Sequence, residues 1–311
     1  MTAIWNHWLN AYWNYIRTTW KSHMTTSPGT SIASSRQAQE HADPAHSTAT
    51  KSPRPVPDKI MYEQPLNERI RAFLRLEYLF QQAAYHLGRE SEWDSRATLA
   101  CVLEILEIFG NTNFKSEALK ELERHSTSLK RHEKNPDIDH SQLSSLLDDI
   151  NTHIESVRTI NGQIGNELKT SEFLASIKQR CAIPGGTCDF DLPAFHYWLK
   201  QPAKDRTRDL AQWLGHFDAI GQAIQMVLTL TRDSTPMKLT LATGGMYQRT
   251  LDPNLPCQLV RIALPQGLPY FAELSGGRHR FTARFLQFYT DEKRTLQTDR
   301  DVEFELACCV I

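Results

Sequence analysis

The chain has 311 residues, of which 40% are hydrophobic and 23% charged, enough apolar material for the core of about two domains. Lys and Arg number 35 and Asp and Glu 36, and this balance excludes a protein whose whole surface coats nucleic acid or anionic membrane. No apolar run of about 18 residues occurs, which excludes a transmembrane helix, and six scattered cysteines do not make a disulfide scaffold. We therefore expect a soluble protein of a reducing, cytoplasmic compartment.

The first 57 residues differ in composition from the rest. The stretch 24–57 is rich in Ser, Thr and Pro and nearly lacks large apolar residues, so it cannot bury enough surface to offset its ordering entropy. Before it, the aromatic residues between Trp5 and Trp20 fall at roughly helical spacing. That pattern fits a weak interfacial helix, a dispensable tail, or translation that starts at Met24 or Met61. We predict a disordered N-terminal extension over 1–57.

A helical period dominates the chain from Leu66 to Arg232. Asn67 and Glu68 mark the first turn of the first helix, and Asp139 is a candidate N-cap further on. The pattern predicts helices over 66–80, 95–109, 116–133 and 139–161, one ending at Arg180, a short one after Pro193, and a long one over 205–232.

After Pro236 the period changes from that of a helix to that of a strand. Short β-rich runs separated by Gly and Pro turns predict an antiparallel sheet, and residues 59–63 are a candidate for an extra strand of it. The chain is therefore expected to be α+β, with an α-helical domain over 58–236 and an antiparallel β-strand domain over 237–311. The runs are 239–250, 257–264, 269–275, 278–288 and 301–307.

Motifs of enzymes and cofactor sites are missing from the sequence. It contains no phosphate-binding loop, no dinucleotide fingerprint, no nucleophile elbow and no zinc-protease motif. Cys181 and Cys188 have a poor spacing for zinc. The final residues Cys308 to Ile311 match a prenylation box, although Cys308 is explained more simply as the end of the last strand. We predict a protein that is not an enzyme and holds no cofactor or metal.

One strand carries an informative alternation of residue types. Arg278, Arg280 and Arg284 share one face, while Phe281 and Phe285 share the other, because successive side chains of a strand point to opposite faces. The phenylalanines should pack on a core and the arginines should face outward.

Positive charge is concentrated around this strand. Residues 237–290 contain six Lys or Arg against two Asp or Glu. Arginine forks suit carboxylates and phosphates, so the face could bind an acidic partner or, as an alternative, nucleic acid. Against nucleic acid, the strand's aromatic rings face away from the arginines and offer no stacking platform. A solvated face paired with neighbouring acids remains the third interpretation.

Several motifs, in the same order along residues 61–309, resemble the ZapD cell-division proteins of Gram-negative bacteria. These motifs are Tyr62–Glu68, Arg75–Glu77, Ser116–Leu122, Arg180–Gly186, Phe190–Pro193, His196–Leu199, Ser275–Gly276, Arg280–Phe285 and Phe304–Cys309. The resemblance implies a cytoplasmic, non-enzymatic protein that is recruited to the midcell division site. It implies a homodimer that binds the C-terminal tail of FtsZ, the tubulin-like division GTPase, and cross-links its filaments.

The resemblance also implies that a basic surface binds the partner. Arg280 and Arg284 match basic positions of the family motif, and Arg261 and Arg75 stand where members carry arginine. His196 is either a buried helix histidine or part of the binding or dimer surface. Together with Arg278 from the alternation above, these residues form the predicted partner-binding set.

Overall fold

The computed structural model describes residues 59–111, 113–133, 135, 138–288 and 295–311. The predicted disordered extension over 1–57 lies outside the described residues. Residues 57–311 belong to one compact unit. Within it the order is helices first and antiparallel strands second, apart from a strand that precedes the first helix, which confirms the α+β class.

The helices follow the predicted order, with changes in several of their bounds and one short helix that was not predicted. They are α1 (Glu68–Leu87), α2 (Glu92–Asn111), α3 (Phe114–Lys130), α4 (His140–Arg158), α5 (Asn166–Lys169), α6 (Glu172–Cys181), α7 (Pro193–Leu199), α8 (Ala203–Gly215) and α9 (Asp218–Asp233). The second helix begins three residues before the predicted start and continues through Gly110.

The single long helix predicted over 205–232 is wrong, because the chain breaks into α8 and α9 at His216 and Phe217. Phe217 is fully buried, and its ring stacks on that of Phe109 at 5.5 Å. The turn directs the ring of Phe217 into the core of the helices. The free energy gained by burying this ring exceeds the cost of interrupting the backbone hydrogen bonds of one continuous helix.

Side-chain caps fix where two helices begin. The amide of Ile70 donates to Asn67 Oδ1 over 2.9 Å at the start of α1. Asp139 caps α4 as predicted, since its Oδ1 accepts from the amides of Ser141 and Gln142. Each cap satisfies a backbone donor that the first turn of a helix leaves unpaired.

The strands form two antiparallel sheets where one sheet domain was predicted. The first sheet has the order β1, β4, β7, β2 and the second has the order β3, β6, β5. The bounds are β1 (Lys59–Pro65), β2 (Lys238–Ala242), β3 (Met246–Thr250), β4 (Cys257–Pro265), β5 (Tyr270–Gly276), β6 (Arg280–Gln287) and β7 (Val302–Val310). Strand β1 pairs with β4 along its whole length, which confirms the candidate strand at 59–63.

The predicted run 239–250 is divided between the sheets. It breaks at Gly244 and Gly245, both at positive φ, after which β2 pairs with β7 and β3 pairs with β6. A side chain at Gly245 would meet the carbonyl oxygen of Thr298 at 2.2 Å, so only glycine fits this crossing.

The two sheets pack face to face over an aromatic core. Phe281 and Phe285 of β6 are fully buried, and the rings of Phe285 and Phe304 lie 5.0 Å apart across the interface. The opposite face of the four-stranded sheet contacts α9. Strand β6 therefore has one face in the sandwich core, and its other face is open from Arg280 to Arg284.

A buried histidine in the helical part leads to a pH-dependent stability. His125 on α3 lies 3.4 Å from the hydroxyl of Thr231 on α9. Burial, reinforced by the charge of Arg124, lowers the pKa of His125 to about 4. The unfolded chain takes up a proton below about pH 6.5 that the folded chain does not, so this contribution to stability is lost as the pH falls from there towards about 4.

We expect the stability advantage of the wild type over His125→Gln to shrink by about 2 kcal/mol between about pH 7 and about pH 5. Urea denaturation at the two pH values measures it. An advantage that stays constant with pH would show that the imidazole is not held neutral by the fold.

Candidate binding surface on strand β6

The predicted alternation is confirmed from Arg280 to Phe285. The prediction that Arg278 belongs to the same strand face is wrong, because the chain turns there and the amide of Gly277 donates to the carbonyl oxygen of Arg280. Arg280 and Arg284 are exposed on the outer face, and Thr282 between them is half-buried. Phe281 and Phe285 are buried in the sandwich core and hold the strand rigidly in place. At about 3.3 Å per residue, the two arginines are anchored roughly 13 Å apart along the open face.

Arg284 has an intramolecular partner on the neighbouring strand. Register places it opposite Glu273 of β5, and its Nη2 donates to Glu273 Oε2. Both side chains are about half exposed, at 51% and 47%. A pair this exposed contributes little free energy, so Arg284 can exchange Glu273 for another carboxylate at low cost.

Arg278 and Arg280 form no ion pair with any residue in the described ranges. Arg278 is exposed in the turn between β5 and β6, while Arg280 stands opposite Thr250 of β3. The two arginines lie beside an open cleft of about 450 Å³, and its polar wall includes Gln248 and Ser275. This end of β6 therefore presents two guanidinium groups that have no ion-pair partner among the described residues, next to a concave surface.

Arg261 does not belong to this surface, contrary to its place in the predicted set. It lies on β4, on the sheet face that is covered by α9, and its side chain is only 18% exposed. Its Nε donates to Glu63 Oε1 over 3.0 Å and its Nη1 to the carbonyl oxygen of Arg232 over 3.2 Å. An arginine that is largely buried and neutralised in this way stabilises the fold and is not available to bind a partner.

Arg75 and His196 stand apart from the arginines of β6. Arg75 is exposed on α1, and His196 is half-buried on α7. Neither of them lines the cleft, and no hydrogen bond or ion pair among the described residues joins either one to β6. Their part in partner binding stays a prediction.

Two carboxylates that were not predicted, Glu273 and Glu63, pair with Arg284 and Arg261. Glu273 could have been found, because β5 and β6 are joined by a short turn and their register follows from it. Glu63 could not, since it lies 198 residues before Arg261 in the chain.

The described residues contain no cluster of His, Cys, Asp or Glu that could hold a metal ion. No helix within the described ranges is long and apolar enough to cross a membrane.

Comparison with known proteins gives one consistent family. The model of the ZapD cell division protein family matches residues 74–284. The ZapD cell division protein of Methylococcus capsulatus is 41% identical over 254 residues, which cover 82% of this chain and 99% of that protein. The ZapD proteins of Chromobacterium violaceum (35% identical, 80% of this chain and 99% of the relative) and Coxiella burnetii (31% identical, 82% and 100%) agree. By these matches, the chain belongs to the ZapD family of cell division proteins.

Proposed function

We propose that this chain binds the C-terminal tail of FtsZ on the outer face of β6 and, as a homodimer, cross-links FtsZ filaments at the midcell division ring. Its membership of a cell division family supports a role in cell division. The proposed location of the binding site rests on the outer face of β6, where Arg280 and Arg284 are exposed and the phenylalanines on the opposite face are buried.

The spacing of these arginines suits an extended acidic peptide. An extended chain and a β-strand rise by the same distance per residue, so two guanidinium groups four residues apart match carboxylates at a similar spacing. A flexible tail loses conformational entropy when it docks, which limits the affinity. We expect micromolar binding that weakens as the salt concentration rises.

Bundling requires two such faces in one particle. A monomer with one site can decorate a filament but cannot join two filaments, whereas a dimer holds two sites at a fixed separation. A variant that is monomeric should therefore still bind the tail and fail to bundle.

Co-sedimentation with FtsZ filaments tests the proposal. The chain should pellet with intact FtsZ and should stay in the supernatant when FtsZ lacks its last residues. Equal pelleting with both forms of FtsZ would place the contact elsewhere on the filament and contradict the proposal.

Removing the charge of Glu273, which competes with the FtsZ tail for Arg284, should strengthen binding of the tail. Glu273 holds the guanidinium of Arg284, so we expect Glu273→Gln to raise the affinity for the tail by about two- to fivefold, the equivalent of an exposed ion pair. Titration of the tail peptide measures it, with Glu303→Gln on the other sheet as the matched control. An unchanged or weakened affinity in Glu273→Gln would contradict the role of Arg284.

Nucleic acid remains the alternative ligand for the same arginines. The buried rings of Phe281 and Phe285 leave no aromatic residue of β6 on its outer face, where a base would have to stack. We therefore expect no gel shift with single- or double-stranded DNA at physiological salt.

A further inference from the structure

Two cysteines meet at one end of the sandwich. Cys257 is the first residue of β4, and Cys308 lies near the end of the neighbouring strand β7. A bulge at Gln258 shifts the register there, and it leaves the two cysteines diagonal to each other across the strand pair. Both side chains are half-buried and pack against the sandwich core, and the Cys257 thiol donates to the carbonyl oxygen of Leu259 over 3.5 Å.

An arginine of the other sheet reaches this thiol pair. Tyr247 and Arg249 of β3 point to the same side of their strand, and the ring of Tyr247 packs on Phe304 of β7 at 5.4 Å. Two residues further along, Arg249 Nη1 lies 3.9 Å from Cys308 Sγ. Arg249 is exposed, so the pair sits at the open rim of the sandwich and not in its closed centre.

This setting distinguishes Cys308 from the other cysteines, all of which the structure describes as free thiols. The neighbouring thiol of Cys257 and the charge of Arg249 lower the pKa of Cys308 to about 7 against the effect of burial. Burial raises the pKa of Cys101 to about 11 and that of Cys309 to about 12, and it also raises that of the exposed Cys181. A thiolate reacts far faster than a thiol, so Cys308 is the reactive position at neutral pH.

We propose that Cys308 and Cys257 form a hydroperoxide-reactive pair, in which Cys308 is oxidised first and Cys257 resolves it to a disulfide. The Cys308 sulfur attacks one oxygen of hydrogen peroxide, the O–O bond breaks, and the released hydroxide takes up a proton to leave as water. The Cys257 sulfur then attacks the sulfenic sulfur of Cys308, the S–O bond breaks, and a second water leaves with the Cys257 proton. Two thiols are oxidised to one disulfide, and one peroxide is reduced to two waters.

Closing the disulfide requires a small movement of one strand end. Diagonal neighbours on antiparallel strands have Cα atoms about 7–8 Å apart, while a disulfide holds them at about 4.4–6.8 Å. Cys257 follows the exposed loop 252–256. The first residues of β4 can therefore move by the roughly 1 Å that would bring the two Cα atoms within disulfide range. The bond should therefore form and also be readily reduced by a dithiol.

Treatment of the full chain with substoichiometric hydrogen peroxide, followed by alkylation and peptide mass spectrometry, tests the proposal. We expect a Cys257–Cys308 linked peptide, lighter by two hydrogens, while Cys181 stays alkylated. Cys257→Ser should instead give a Cys308 sulfenic acid that dimedone traps. Cys181→Ser, the matched control, should react like the wild type.

Arg249 provides a second, independent variant. Arg249→Gln should slow oxidation of Cys308 several-fold, and Arg249→Lys should restore much of the rate, because Arg249 contributes to the lowered thiol pKa through its charge and not through its packing. Oxidation of Cys181 as fast as Cys308 in the wild type, or a disulfide that joins Cys308 to Cys309, would overturn the proposal.

Discussion

Reversing both arginines of β6, Arg280→Glu and Arg284→Glu, is expected to abolish the bundling of FtsZ filaments. Each arginine supplies a charge-assisted contact worth about 1.5–3 kcal/mol, so losing two of them should weaken tail binding by at least about 100-fold. Reversal also places two acids opposite an acidic tail, and the one at position 284 lies directly opposite Glu273. Sedimentation and light scattering of filaments measure the effect.

The same variant should keep its fold and its oligomeric state. Both side chains lie outside the sandwich core, and the exposed pair between Arg284 and Glu273 contributes less than about 1 kcal/mol. The matched control is Lys130→Glu with Arg131→Glu, an equal change in charge at the exposed end of α3. If the control bundles as weakly as the β6 variant, net charge and not the β6 site controls bundling.

Arg232 is the centre of an ion-pair network that should contribute strongly to the stability of the fold. Arg232 on α9 donates to Glu77 of α1 over 2.7 Å and to Glu63 of β1 over 2.8 Å, and Arg261 of β4 also contacts Glu63. Burial alone would raise the pKa of Glu63, but the hydrogen bonds and charges of Arg232 and Arg261 hold it below its usual value. This network joins two helices to two strands of the four-stranded sheet.

We expect Arg232→Ala to lower the free energy of unfolding by about 3–5 kcal/mol. Among the described residues it leaves the partly buried carboxylate of Glu77 without an ion-pair partner, and that of Glu63 with Arg261 alone. Adding Glu77→Gln should recover part of the loss, since it removes one unpaired charge. Urea denaturation at neutral pH measures both.

Arg158→Ala is the control for this prediction. Arg158 also contacts two glutamates, Glu123 and Glu155, but its side chain is 53% exposed, so its loss should cost less than about 1 kcal/mol. Equal losses in Arg232→Ala and Arg158→Ala would show that burial does not strengthen the network.

The face of β6 could be predicted from the sequence because only one side of that strand is buried. Apolar residues at every second position, Phe281, Ala283 and Phe285, fix the inner face, and the arginines then have to point outward. The same reasoning fails for β4, which is covered by β6 and its neighbours on one face and by α9 on the other. Its residues are apolar on both faces, so no alternation indicates where Arg261 points.

The sheet to which each strand belongs could not be predicted from the sequence, for a related reason. The pair Gly244 and Gly245 has the appearance of a hairpin turn, which would place β2 and β3 side by side. In the structure each strand pairs with a distant one, β2 with β7 and β3 with β6. Alternation identifies the buried face of a strand, whereas its partner is decided by long-range packing that local patterns do not encode.

Binding of a fluorescently labelled FtsZ tail peptide, followed by anisotropy, measures recognition of the tail by β6 separately from bundling. The wild-type chain should give saturable micromolar binding that weakens with added salt, and Arg280→Ala with Arg284→Ala should remove it while Arg75→Ala leaves most of it. Undiminished binding by the Arg280→Ala, Arg284→Ala variant would contradict the account and place the tail on another surface of the molecule.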